Sequence, residues 1–136
     1  MKSLFCMFCT LAIASSVSAQ ETGNAMLKYG LNFLKTPYVA HTLEVNEEEK
    51  LVVNFDEVDC TTFVEYVLAL SLSPVKNGAI DKTDYARVLQ KIRYRDGRIN
   101  GYTSRLHYIA DWINNGVKHG FMEDVTAANS PDSIAL

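Results

Sequence analysis

The 136-residue sequence is poor in cysteine, with only three, which is too few for a disulfide scaffold. It has no excess of positive charge: 13 Lys and Arg against 16 Asp and Glu leave a formal charge of −3. Without a basic field, a nucleic-acid backbone is excluded as a main partner. No apolar run reaches the ~20 residues that span a bilayer, so no stable membrane span is expected. There is no internal repeat and no low-complexity segment. What is present is ordinary globular composition, 48% hydrophobic and 21% charged, which argues against a disordered tail, a fibre or a coiled coil. The length bounds the chain at one domain or part of one.

Residues 1–19, MKSLFCMFCTLAIASSVSA, have the layout of a secretory signal peptide. Lys2 gives the positive start, Leu4 to Ala14 the short apolar run, and Val17-Ser18-Ala19 the small residues before a cleavage point at Gln20. The expected organisation is therefore a signal peptide over 1–19 and one domain portion over 20–136, exported to the periplasm or cell envelope. Cleavage removes Cys6 and Cys9 and leaves Cys60 alone. A lone cysteine in an exported chain is a buried small hydrophobe, an intermolecular link or a reactive thiol.

Met26, Tyr29, Gly30, Phe33 and Leu34 recur at helical spacing, which predicts an amphipathic helix over Glu21 to Leu34, stopped by Pro37. Leu43-Glu44-Val45 and Leu51-Val52-Val53 flank the polar run Asn46 to Lys50 and read as a short hairpin with a solvated tip. A second helix starts at Cys60, with Phe63, Val64, Val67, Leu68 and Ser71 on one stripe and Asp59 as its natural N-cap. A third runs from about Lys82 to Tyr94, with Tyr85, Val88, Leu89 and Ile92 inward. After a polar loop, Ser104 is placed to cap a fourth, with Leu106, Ile109, Ala110, Ile113 and Val117 inward. Very little sheet is visible.

Cys60 carries the most chemical information. In the first turn of a helix, a cysteine sits near the positive end of the helix dipole and beside unpaired N–H donors. Both favour thiolate over thiol, and the same N–H groups can hold a developing oxyanion. Position alone also fits a cysteine that simply begins a buried helix.

The flanking residues Leu34-Lys35-Thr36-Pro37-Tyr38-Val39-Ala40-His41 and Asp59-Cys60-Thr61-Thr62-Phe63-Val64-Glu65 decide between these. They resemble the NlpC-type family of papain-like cell-wall hydrolases. The segments TPYVAHTLE, DCTTFVE and KIRYRDGRINGYTSRLHY are most similar to its N-acetylmuramoyl-L-alanine amidase-like branch, over roughly residues 25 to 125. The resemblance implies an α+β fold, with this chain as the N-terminal, mostly helical part of a papain-like cysteine hydrolase domain whose β-sheet half is largely missing. It implies Cys60 as nucleophile and no cofactor. It also implies a substrate-binding set of Tyr38, Asp59, Tyr102, Ser104, Arg105 and His107, and a substrate of peptidoglycan or muropeptide fragments, cleaved between the muramic acid lactyl group and L-alanine. Lys35 stands where that family usually has glycine.

An amidase also needs a group that protonates the leaving amine, usually histidine. The family's histidine opens a downstream β-strand in a context similar to His-Val-Gly-Ile, and this chain has only His41, His107 and His119. The sequence is therefore expected to be the N-terminal part of a longer member or a truncated product. His107 has a rival reading as surrogate base. A metal site from His41, His107 and Cys60 lacks ligand spacing. Arg93, Arg95, Arg98 and Arg105 can bind a carboxylate or acidic sugar, although Arg93 and Arg95 fit a solvated helix and loop as well. Three readings stay open: a cysteine amidase, a catalytically incomplete peptidoglycan-fragment-binding domain, and a plain helical exported domain with a buried cysteine.

Overall fold

The structure, a computed structural model, describes residues 21–125. The expected signal peptide lies outside the described residues. The fold class is α+β, with four α-helices and one two-stranded sheet among the described residues. Helix α1 covers residues 21–31 and α2 covers Cys60–Leu72. Strands β1 (Val75–Lys76) and β2 (Ala79–Ile80) follow, then α3 (Lys82–Arg93), two 3-10 turns (Arg95–Gly97 and Tyr102–Ser104), and α4 (Ile109–Lys118). No described helix is long and apolar enough to cross a membrane.

The α2 helix and the α3 helix that a short hairpin returns onto it form the centre. Antiparallel β1 and β2 pair Val75 with Ile80 and Lys76 with Ala79 through an Asn77-Gly78 turn in which both residues have positive φ. That is the type I′ chemistry of a two-residue hairpin, and it folds α3 back onto α2. Tyr66, Leu68 and Ala69 of α2 then pack with Tyr85, Leu89 and Ile92 of α3, with Val58, Leu106 and Trp112 closing the core. Phe33 after α1 joins an aromatic cluster with Phe55, Phe63 and Tyr66, at ring separations of 5.2–6.5 Å.

A buried ion pair lies inside this helix pair. Arg93 Nε donates to Glu65 Oε2 at 2.7 Å, with the two side chains 1% and 2% exposed. Arg93 Nη1 also donates to the Val52 carbonyl at 2.6 Å, and the guanidinium lies over the Tyr66 ring. Burial raises the Glu65 carboxyl above its ordinary value, and the Arg93 charge pulls against that shift. Arg93 is thus neither a solvated helix residue nor a ligand for an incoming carboxylate. On α2 the apolar stripe is also rotated from expectation: Glu65 is buried and Val64 is 40% exposed.

Further expectations are corrected. Residues 43–53 do not form a hairpin. Their polar backbone is engaged by long side chains instead: Tyr94 Oη donates to Glu49 Oε1 at 2.6 Å and approaches the Lys50 carbonyl at 3.1 Å. The acid run is therefore not wholly a solvated tip, because Glu49 is an anchor. Ser104 does not cap α4, which begins after Tyr108 with no side-chain cap. The inner face of α4 is Trp112, Asn115 and Gly116, whereas Ile109, Ile113 and Val117 are 40–68% exposed. Two contacts fix that rotation. Asn115 donates to the Lys91 carbonyl and accepts from the Asp96 N–H, each at 3.1 Å. A Cβ at residue 116 would lie 2.7 Å from Met122 Sδ and 3.1 Å from the Phe121 ring, so a larger residue would have to displace the returning side chains. Leu34, beyond the end of α1, is likewise exposed.

Removing one partner of a buried ion pair leaves an uncompensated charge and costs ~3–5 kcal/mol. Urea unfolding should show such a loss for Glu65→Leu and for Arg93→Met separately. The double variant should lose clearly less than the sum, and additive losses would show that the two groups are not coupled. A second test concerns Asp96, whose carboxylate is held below its ordinary value of 3.8 by hydrogen bonds from Lys118 and His119. A lowered folded value means that the contribution is present above the unfolded value and is lost as pH falls through the folded one. The melting-temperature gap between the native chain and Asp96→Asn should therefore be present at pH 7 and close below about pH 4. A gap unchanged at pH 2.5 would refute the clamp.

Candidate active site

Asp59 sets the start of α2 through a reciprocal capping box. The Thr62 N–H donates to Asp59 Oδ1 at 2.8 Å, and the Asp59 N–H donates to Thr62 Oγ1 at 2.8 Å. The Asp59 carbonyl accepts from the Phe63 N–H at 3.0 Å. These bonds consume the third and fourth amides of the helix and leave the N–H groups of Cys60 and Thr61 without acceptors among the described residues. Cys60 occupies the first helical position, and its thiol is exposed and free. Among the described residues, the one hydrogen-bond partner of its Sγ is Thr61 Oγ1 at 3.9 Å.

A parallel bridge places Tyr38 beside this turn. The Val39 N–H donates to the Val58 carbonyl at 3.0 Å, and the Val58 N–H donates to the Pro37 carbonyl at 3.1 Å. Pro37 lacks an N–H but keeps the acceptor that the bridge requires. Tyr38, 70% exposed, is therefore paired with Val58, two positions before Cys60 in the chain. His41, three positions past the bridging Tyr38, has φ of 64°; histidine is among the residues more often seen in that left-handed region.

A cavity of about 220 Å³ opens at Cys60, with Tyr38, His41, Glu44, Arg105 and His107 around it and Thr62 and Glu65 at its buried side. Arg105 is 6% exposed, and its Nη2 donates to Glu44 Oε1 at 2.7 Å while Nε lies 3.6 Å from Glu49 Oε1. It stacks over the Tyr102 ring at 5.0 Å. His107 packs its ring on the other aromatic contact of Tyr102, with centroids 4.2 Å apart, and its Nε2 lies 3.0 Å from the Tyr102 carbonyl.

The structure thus brings Tyr38, Asp59, Cys60, Arg105 and His107 to one cavity. Tyr102 lines the adjoining cavity and touches the Cys60 side through its contacts with Arg105 and His107. Ser104 is elsewhere: its Oγ accepts from the Asn100 N–H at 2.9 Å and donates to the Gly101 carbonyl at 2.7 Å, which closes its own loop. Sequence reasoning missed Glu44, Glu65 and Thr42 as wall residues. Glu44 is 61 positions from Arg105 and no local pattern marks it. Among the described residues no group of three His, Cys, Asp or Glu side chains is arranged to hold a metal ion.

The N-acetylmuramoyl-L-alanine amidase-like family matches residues 28–136, which includes every group in this cavity. The chain belongs to that family. A solved structure of an N-acetylmuramoyl-L-alanine amidase from Bacteroides uniformis is 63% identical, with a TM-score of 0.77 over 82% of this chain and 47% of its own. A Bacteroides fragilis protein, provisionally named a xylanase, is 63% identical, with a TM-score of 0.73 over 77% of this chain and 45% of its own. A Legionella pneumophila protein, 22% identical, covers 85% of this chain and 38% of its own with a TM-score of 0.67, and shows the fold alone. This amidase-like chain spans about half the length of the solved relatives it matches. No curated protein matches it.

The capping box generates a test. Asp59→Ala should lower the unfolding free energy by ~1 kcal/mol, whereas Asp59→Asn, which can still cap, should stay close to the native chain in urea unfolding. Equal losses in the two variants would show that the cap does not hold this turn.

Proposed function

We propose that this family member is the cysteine-bearing part of a papain-like, NlpC-type amidase that cleaves the N-acetylmuramoyl-L-alanine bond of peptidoglycan or muropeptides. The observation that carries the reading is the placement of an exposed thiol at the first position of a capped helix, on a cavity, with two free backbone N–H groups beside it. Cys60 Sγ, as thiolate, adds to the amide carbonyl carbon. The N–H groups of Cys60 and Thr61 are the available donors for the resulting oxyanion. Collapse breaks the C–N bond, the amine leaves with a proton taken from solvent, and water adds to the thioester, releasing the acyl group as a carboxylic acid and freeing Cys60. Tyr38 and Arg105 frame the substrate. The 1–19 segment assigns this work to the periplasm or cell envelope, where such a substrate resides, with 20–136 as the working portion.

One observation favours a second reading, a peptidoglycan-fragment-binding domain that does not turn over. Cys60 Sγ has no imidazole contact, although His41 and His107 line its cavity. General acid–base help is worth ~10²–10⁴ in rate. On muropeptides, the purified chain over residues 20–136 should therefore be at least ~10²-fold slower than the Bacteroides uniformis amidase. Cys60→Ala should abolish what turnover there is. Turnover as fast as the relative's would make His41 or His107 the proton donor, and turnover indifferent to Cys60→Ala would end the cysteine mechanism. Binding by calorimetry, with no turnover in either protein, would establish the second reading.

A further inference from the structure

Beside the Cys60 cavity lies a larger one of about 500 Å³, and the two share Leu43, Glu44 and Arg105 as a common wall. Its volume is within the ~300–1,000 Å³ of small-molecule sites. Segment 43–50 forms one side and is tied down at two points: Arg105 Nη2 donates to Glu44 Oε1 at 2.7 Å, and the Tyr94 hydroxyl donates to Glu49 Oε1 at 2.6 Å. The carboxylates of Glu47 and Glu48 and the ammonium of Lys50 are the charges left over. All three line the cavity, are exposed, and have no partner among the described residues, each other included. Unpaired charge of both signs therefore faces one space. Arg105 adds a donor from the buried side. It is 6% exposed, and its Nε–H has no hydrogen-bond acceptor, since Glu49 Oε1 is too far at 3.6 Å.

We propose that this second cavity binds the zwitterionic head of an α-amino acid, with the ammonium at Glu47 and Glu48 and the carboxylate at Lys50. Cys60 takes no part, so the site does not depend on the amidase reading. A lone cation would meet Glu47 and Glu48 but would be opposed by Lys50. A lone anion would meet Lys50 and be opposed by two carboxylates, and an uncharged ligand would leave all three charges unanswered. A zwitterion answers both signs at once. With two carboxylates against one ammonium in the wall, the ligand's ammonium is the main anchor and its carboxylate supplies selectivity. The side-chain amides of Asn46 and Asn100, also unpartnered among the described residues, offer donors and acceptors together for what remains of both groups. Leu43 and Ile99 give apolar surface for an aliphatic side chain. A free amino acid and an amino-acid head at the end of a peptide side chain present this same chemistry.

The test is a two-dimensional amide NMR titration of the full chain with four probes. Leucine carries both charges, 3-methylbutylamine is leucine without its carboxylate, and 4-methylpentanoate is leucine without its ammonium. The fourth, γ-glutamylethylamide, carries the amino-acid head on an amide-linked chain. Leucine, γ-glutamylethylamide or both are expected to shift the amides of residues 46–50 and 99–102, and the tighter of the two tells a free amino acid from a peptide-borne one. The amine should bind about fivefold more weakly than leucine, as loss of one exposed ion pair would make it, and 4-methylpentanoate more weakly still. Lys50→Gln should erase the advantage of leucine over the amine, and Glu47→Gln combined with Glu48→Gln should remove binding of both. These side chains are exposed and unpartnered among the described residues, so the variants retain their fold, which their unperturbed amide spectra will show. Binding of the amine or of 4-methylpentanoate as tight as that of leucine, shifts elsewhere on the chain, or no shift from either amino acid would overturn the proposal.

Discussion

The structure depends most on the ion pair of Arg93 with Glu65. It joins the end of α3 to the middle of α2, and through the second donor of Arg93 it reaches the carbonyl of Val52. One guanidinium thus ties two helices and an irregular segment together. Two buried charges recover their hydration only when geometry and additional hydrogen bonds are good, so this contact tolerates little rearrangement around it. Its carboxylate stands at the buried side of the Cys60 cavity. The interaction that organises the core is therefore also part of the site's inner wall.

A second pair repeats the logic nearer the surface. Arg105 holds Glu44 and lies close to Glu49, while the antiparallel bridge of Tyr94 with Arg105 and the bond from the Leu106 N–H to the Arg93 carbonyl set the two arginines on adjoining backbone. The segment 41–50 has no strand to pair with, and its position is specified by arginine and tyrosine side chains that arrive from the far end of α3 and the loop beyond it. Polar anchors here perform the service that a β-ladder performs elsewhere. They leave the cavity walls free of regular structure, where binding surfaces are commonly found.

Local signals were legible in the sequence and distant ones were not. Asp59 before an apolar run announces a helix start, and the structure supplies the cap with Thr62 as its reciprocal partner. The inward residues of α3 follow its period, because Tyr85, Leu89 and Ile92 have α2 directly opposite. The α4 face failed for a reason the period cannot carry: Gly116 and Asn115 win the inner position through close approach and hydrogen bonding, against the greater hydrophobicity of Ile113 and Val117. The Asn77-Gly78 turn is a signal of the same local kind, since that dipeptide suits the positive φ values of a two-residue hairpin. Cys60, Tyr38, Arg105 and His107 share a cavity as their motifs suggest, but Ser104 is spent on its own loop. Glu44 and Glu65 were invisible as wall residues, since each is defined by an arginine 61 or 28 positions away.

Those separations have a kinetic consequence. The α2–hairpin–α3 unit closes through neighbouring chain, whereas the cavity needs Glu44 to find Arg105 across 61 residues and Arg93 to find Val52 across 41. Loop-closure entropy is paid before such contacts return anything, so pairings of this kind form slowly. By that argument the helical unit assembles early and the cavity at Cys60 is completed late, on a scaffold already in place. Run in reverse, the cleft is the part that opens first, at a free energy below that of global unfolding.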